Sequence, residues 1–101
     1  MLYMVIERYK RGPARVYERA SVSGRMLPDG LRYLDSWIVD DGKLDTCFQL
    51  METGDPQLLE TWRSRWADLV SFEIKPVIKS GEAAARSHVV PAGQPAAKTT
   101  R

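Results

Sequence analysis

Three acidic residues stand among apolar and aromatic neighbours, and they are the side chains in this sequence best suited to proton chemistry. Glu7, Asp35 and Glu73 each lie in a segment rich in Val, Ile, Leu or aromatic residues. A carboxyl group buried among apolar side chains has a raised pKa and can act as a general base near neutral pH. We therefore take these three acids as candidate catalytic residues. The alternative is that each pairs with a neighbouring Arg or Lys, or lies at an exposed rim.

Other kinds of site find little support in the residue types. The chain has one cysteine, Cys47, and one histidine, His88. A zinc site needs several nitrogen or sulfur ligands, haem needs an axial ligand such as His or Cys, and a thiol nucleophile needs a base beside it. We predict no metal site, no cofactor, and a buried structural role for Cys47. A hard cation held by the three acids is the alternative.

Hydrophobic periodicity predicts the elements that must position the acids. Pro13 and Asp55-Pro56 suit helix starts, Asp41-Gly42 suits a hairpin turn, and Pro76 suits an edge strand. The predicted order is strand, helix, strand, strand, helix, strand, over residues 2–9, 13 to about 25, 31–39, 44–51, 56 onward and 71–78.

This order predicts an α+β fold of the ferredoxin-like βαββαβ type. It is a sandwich of one four-stranded antiparallel sheet with two helices on one face. We predict that residues 1–79 form the domain. Residues 80–101 are predicted to hold a short helical turn and a disordered tail, because they offer little to bury.

Alternation along each strand divides the residues of the sheet between two faces. The consistently apolar sets are predicted to pack under the helices, together with Trp62 and Trp66; they are Leu2, Met4, Ile6, Leu34, Ile38, Phe48, Leu50, Phe72 and Ile74. The mixed sets then share the other face. From these we predict the ligand-binding residues Tyr3, Glu7, Tyr33, Asp35, Trp37, Gln49 and Met51.

Such a mixed face is too apolar to remain exposed on a monomer, and large exposed apolar patches usually mark an interface or a ligand groove. A homodimer that closes two sheets over each other would create a cavity lined by aromatic and a few polar groups, as small-molecule pockets are. Alternatively, Tyr33 and Trp37 form the centre of the dimer contact.

Composition and charge restrict the partners. The 101 residues are 44% apolar and 28% charged, and residues 1–79 hold twelve basic and twelve acidic side chains, so the net charge of +2 comes from the end of the chain. Nucleic-acid binding needs a basic surface, and a membrane span needs about 20 apolar residues. We predict neither partner. A single cysteine suits a cytoplasmic location.

Four segments carry a family resemblance: residues 1–8 (MLYMVIER), 30–37 (GLRYLDSW), 47–53 (CFQLMET) and 72–73 (FE). Over about residues 1–85 the chain resembles the bacterial domain of unknown function 3303 family. The resemblance implies a dimeric α/β-barrel fold, shared more remotely with cofactor-free monooxygenases, haem-degrading enzymes and muconolactone isomerases. It brings no activity and no catalytic residue.

These observations predict a cytoplasmic homodimer that binds a small, partly apolar organic molecule in a dimer cavity. Catalysis there would be of the cofactor-free oxygenase or isomerase type. The alternatives are a non-catalytic ligand-binding or stress-related module and a purely structural homodimer, so the sequence leaves open whether the protein is an enzyme.

Overall fold

The computed structural model describes residues 1–87 of the chain. In order, the elements are β1 (Leu2–Tyr9), α1 (Pro13–Ser23), β2 (Arg32–Ile38), β3 (Thr46–Glu52), α2 (Gln57–Ser64), β4 (Val70–Val77) and α3 (Ser80–Ser87). The predicted order of strands and helices is confirmed, and most element boundaries lie within one or two residues of the predicted ones.

The four strands form one antiparallel sheet in the order β2-β3-β1-β4. This is the predicted ferredoxin-like α+β arrangement, with β1 and β3 in the centre. Pro76 lies in β4 at the edge of the sheet, where a missing N–H is tolerated. The fold therefore gives β1 and β3 a paired strand on each side.

Local signals explain where the helices begin. Gly12, with φ of 81°, reverses the chain before Pro13 opens α1. An Asp55 carboxylate oxygen accepts a hydrogen bond from the N–H of Gln57 at 3.0 Å, which satisfies a free donor at the start of α2. Helix α2 ends at Ser64, so Trp66 lies in the turn that leads to β4.

The helix-covered face of the sheet carries the core, and here the predicted assignment of β1 and β3 is wrong. The side chains packed under α1 and α2 are those of Tyr3, Val5, Glu7, Tyr9, Cys47, Gln49 and Met51. The sets predicted to lie there, Leu2, Met4 and Ile6 of β1 and Phe48 and Leu50 of β3, face the other way. For Phe72, Ile74, Trp62 and Trp66 the predicted packing is confirmed.

The physical reason is that alternation separates two sets without saying which set the helices cover. Average hydrophobicity favoured the purely apolar sets. The structure instead buries Glu7 and Gln49, and Gln49 is stabilised by a hydrogen bond from Arg25 at 2.8 Å. We call the opposite side the open face; it is lined by Leu2, Met4, Ile6, Asp35, Trp37, Phe48, Leu50, Glu73 and Lys75.

A register shift in β2 divides a set of residues that was predicted to share one face. Tyr33 pairs with Met51, yet Asp35 pairs with Leu50, so Leu34 is an extra residue in the ladder. Such a bulge reverses the alternation beyond it. Tyr33 therefore lies on the helix-covered face, and Asp35 and Trp37 lie on the open face.

Helix α3 follows β4 and begins at Ser80, where a short helical turn was predicted. The predicted disordered tail lies outside the described residues, apart from Ser87 at the end of α3. Across residues 1–87, every helix is too short or too polar to cross a lipid bilayer.

Candidate functional site

The candidate site is a cavity of about 380 Å³ between the helix-covered face and the helices, which we call the Glu7 cavity. Its walls come from β1, β2, β3, β4, α1, α2 and the turn that follows each helix. The lining residues are Glu7, Tyr9, Val16, Tyr17, Ala20, Gly24, Arg25, Ser36, Ile38, Cys47, Gln49, Trp62, Trp66 and Val70. Apolar and aromatic walls with a few convergent polar groups are typical of small-molecule sites.

Glu7 is the only acidic residue among these lining residues, and only 7% of it is exposed. Burial raises the pKa of its carboxyl group from 4.5 to about 7, because water no longer stabilises the charged form. Hydrogen bonding to the Cys47 thiol, the nearby charge of Arg25 and the Tyr9 hydroxyl each oppose this rise. The result is a carboxyl group that is populated in both protonation states near neutral pH.

Cys47 and Tyr9 surround Glu7 as neutral groups. Cys47 is the cross-strand neighbour of Glu7 on β3, and Tyr9 lies two residues farther along β1. Burial raises the pKa of the Cys47 thiol to about 11, and burial also raises the pKa of Tyr9 well above its usual value. Both groups therefore keep their protons at neutral pH. Cys47 is thus poorly suited to nucleophilic attack.

Arg25 lines the cavity, and aromatic residues contact both its backbone and its side chain. Its backbone carbonyl accepts hydrogen bonds from the indole N–H groups of both Trp62 and Trp66, each at 3.0 Å. Its guanidinium group lies 3.5 Å from the centre of the Tyr33 ring and donates to the Gln49 side-chain oxygen at 2.8 Å. The Tyr33 hydroxyl shares a further hydrogen bond with the Ser36 hydroxyl at 2.8 Å.

The predicted ligand-binding residues are spread over both faces of the sheet. Of that set, Glu7 and Gln49 line the cavity. Tyr3 and Met51 are buried farther along the same face, and Tyr33 supports Arg25.

The remaining predicted residues lie on the open face. They are Asp35 and Trp37, together with the catalytic candidate Glu73. Glu73 contacts Lys75 at 3.1 Å and Arg8 at 3.9 Å. The three acids therefore do not converge, and only Glu7 belongs to the cavity.

Sequence reasoning missed Arg25, Tyr9 and Ser36 as site residues. Arg25 comes after α1 in a loop, where periodicity carries no information about direction. Ser36 reaches the helix-covered face only because of the bulge at Leu34. Tyr9 does follow Glu7 by two residues, so alternation would have placed both on one face.

A second, more open concavity of about 470 Å³ lies on the outer surface of α1. Its charged side chains are exposed or only half-buried, and two of them pair with each other: Arg19 binds Asp68 at 2.6 Å and also lies 5.5 Å from the centre of the Trp66 ring. We therefore regard the smaller Glu7 cavity as the candidate site.

In the part of the chain that the structure describes, no three His, Cys, Asp or Glu side chains are grouped so that they could hold a metal ion.

Comparison with known proteins gives one result. The family model described as "Domain of unknown function (DUF3303)" matches residues 1–89. No curated protein and no solved structure matches the chain.

Proposed function

The chain belongs to the DUF3303 family, a domain of unknown function, and we propose that it binds a small, partly apolar organic molecule in the Glu7 cavity. One observation carries this proposal: a single buried carboxyl group faces a cavity of about 380 Å³ whose other walls are largely apolar and aromatic. The proposed site lies inside one subunit, under the helices, and replaces the cavity between two subunits that the sequence predicted.

We propose that Glu7 moves a proton within the bound molecule. Its ionised form would remove a proton from the carbon that lies between a carbonyl group and a C=C bond, and leave a dienolate. The protonated Glu7 would then return that proton to the far end of the dienolate, so that the C=C bond moves into conjugation with the carbonyl group. The net result is an isomerisation that restores Glu7 and needs no cofactor. A pKa of about 7 suits this role, because both forms are present at neutral pH.

Binding can be tested with the three tryptophans as reporters. Trp62 and Trp66 line the cavity, whereas Trp37 lies on the open face and is 51% exposed. A ¹⁵N-labelled sample gives one indole N–H signal for each. Titration with a panel of small cyclic ketones and lactones should shift the Trp62 and Trp66 signals and leave Trp37 in place. If no compound shifts those two signals, the binding proposal is wrong.

Deuterium exchange tests the proposed proton transfer by Glu7 separately from binding. In D₂O, a bound ketone or lactone should gain deuterium next to its carbonyl group in the presence of the protein. The variant Glu7→Gln, which keeps the shape but cannot accept the proton, should lose this exchange while still binding. Binding without Glu7-dependent exchange would contradict the isomerase proposal and support the alternative, a non-catalytic ligand-binding module.

We further propose that the open face forms a homodimer. Its central residues, Leu2, Met4, Ile6, Trp37, Phe48 and Leu50, make an apolar surface with charged residues of both signs around it. A second copy offers the same apolar centre and complementary charges at the rim. Light scattering should find a dimer at micromolar concentration, and a monomer would contradict this proposal.

We also propose a cytoplasmic location, which the single free cysteine supports.

A further inference from the structure

Arg25 lacks the carboxylate partner that five other arginines of residues 1–87 have, and Arg8 and Arg63 are the more loosely paired of the five, at 3.9 and 3.5 Å. Arg19, Arg32 and Arg86 each form an ion pair with a carboxylate at 2.6 to 2.7 Å. Within residues 1–87, no Asp or Glu lies within 4.0 Å of the Arg25 guanidinium group, and its one hydrogen bond to a side chain goes to the neutral Gln49. A guanidinium group has five N–H donors, so most of those of Arg25 remain free for another partner.

The surroundings of Arg25 hold this cation in one place. Two indole groups fix its backbone, the Tyr33 ring lies against its guanidinium plane, and Gln49 binds one end of it. A rigidly held arginine loses little entropy when it binds a ligand, and its planar fork matches a carboxylate. Since Arg25 also lines the cavity, an anion bound to it would have its remaining atoms directed toward the apolar walls.

From this arrangement we infer that the natural ligand is a small carboxylic acid, with its carboxylate on Arg25 and its apolar part inside the Glu7 cavity. The inference rests on the proposed binding function and adds the ligand class. The charge balance of the cavity agrees with it. Arg25 contributes one positive charge, and a monoanion neutralises it whenever Glu7 carries its proton.

This ligand class makes binding depend on pH. The titratable and charged groups that line the cavity with Glu7 are Tyr9 on β1, Tyr17 on α1, Cys47 on β3 and Arg25 from the loop after α1; α2 and its following turn contribute only Trp62 and Trp66. Tyr9 and Cys47 stay neutral at pH 7, so Glu7 is the group that titrates. An anion should bind best when Glu7 is protonated. Its affinity should fall above pH 7, by up to about tenfold per pH unit.

The test uses matched pairs of acid and amide that differ in charge and little in shape. Suitable pairs are benzoate and benzamide, cyclohexanecarboxylate and its amide, and 2-naphthoate and 2-naphthamide. Calorimetry gives the dissociation constants, and the indole signals of Trp62 and Trp66 report whether the compound enters the cavity. We expect at least one acid to bind roughly ten- to a hundredfold more tightly than its amide.

Variants then assign the difference to Arg25. Arg25→Gln should abolish the preference for the acid, and Arg25→Lys should keep only part of it, because lysine retains the charge without the planar fork. The control Arg32→Gln removes the same charge from the Glu52 pair at the sheet surface and should keep the preference. The indole contacts use the Arg25 backbone carbonyl, so these side-chain variants retain them. In Glu7→Gln the pH dependence of acid binding should vanish.

The outcomes separate this inference from the proposed function. If acids and amides shift the Trp62 and Trp66 signals equally well, the ligand class is wrong and the binding function stands. If the acid preference survives in Arg25→Gln, the assignment to Arg25 is wrong. If no pair shifts either signal at any pH from 5 to 8, the ligand class is wrong, and the titration with ketones and lactones decides whether the binding function stands.

Discussion

Both faces of the sheet carry apolar side chains, but the two faces differ in what surrounds them. The helix-covered face packs against α1, α2 and the loops beside them, and it retains a cavity with one buried acid. The open face carries the exposed aromatic side chains Trp37 and Phe48 together with ion pairs. The faces therefore differ in the burial of polar groups, and on this difference we propose chemistry for the helix-covered face and contact with a second copy for the open face.

Neighbouring residues on β3 give the largest expected contrast between the faces. Met51 is fully buried on the helix-covered face, and Leu50 beside it faces the open side. Met51→Ala should lower the free energy of unfolding by about 2–5 kcal/mol, because it leaves a cavity in a packed core. The control Leu50→Ala, measured by urea denaturation at concentrations where the protein is monomeric, should cost clearly less. Equal losses would contradict the assignment of the two faces.

A second contrast concerns the buried charge of Glu7. Its pKa is raised from 4.5 to about 7, so the folded protein holds this proton more tightly than the unfolded chain does. The stability that comes from the protonated form is fully present below pH 4.5 and is lost as pH rises to about 7. The shift corresponds to about 3 kcal/mol.

Urea denaturation of wild type and Glu7→Gln from pH 4 to pH 8 measures this effect. The variant should lack this component of the pH dependence and become the more stable of the two proteins above pH 7. Parallel curves for the two proteins would show that Glu7 titrates at its ordinary pKa and is not buried as described.

The third contrast tests the open face as a contact surface. Phe48 lies near its centre and is 37% exposed. Phe48→Asp places a charge there and should weaken the proposed dimer at least tenfold in light scattering or sedimentation, since an unpaired charge resists burial. Val22→Asp makes the same kind of change on the exposed surface of α1 and should leave the dimer intact. A dimer that survives Phe48→Asp would indicate another contact surface.

The smallest effect is expected for the charges around the open face. The pair of Arg32 with Glu52 is largely exposed, and such pairs contribute little because water screens them. Glu52→Gln should change the free energy of unfolding of the monomer by less than about 1 kcal/mol. A larger loss, measured by the same urea denaturation, would mean that this ion pair contributes more to the free energy of unfolding than an exposed pair is expected to.

Much of the fold could be predicted from the sequence because its signals are local. Pro13 and Asp55 act on adjacent backbone groups, Asp41-Gly42 acts on one turn, and Trp62 and Trp66 show their shared face by spacing alone. The order of the elements then leaves few topologies, and the observed sheet is the expected one.

The site could not be predicted in the same way, because it depends on choices between elements. Alternation gives the same two sets of side chains whichever set the helices cover, and in β1 and β3 the purely apolar set proved to be the uncovered one. The bulge at Leu34 places Ser36 on the cavity side, although β2 contains no Gly or Pro that would indicate a bulge in the sequence. Arg25 owes its position to indole groups about forty residues away. These relations exist only in the folded chain.

The account depends most directly on the carboxyl group of Glu7, and NMR titration of its side-chain ¹³C signal observes that group alone. The signal is assigned by its absence from Glu7→Gln. Titration with a midpoint near pH 7 is the predicted result, because the group is buried beneath the helices. A midpoint between pH 4 and 5 would mean that Glu7 is solvated, and it would contradict the proposed proton transfer.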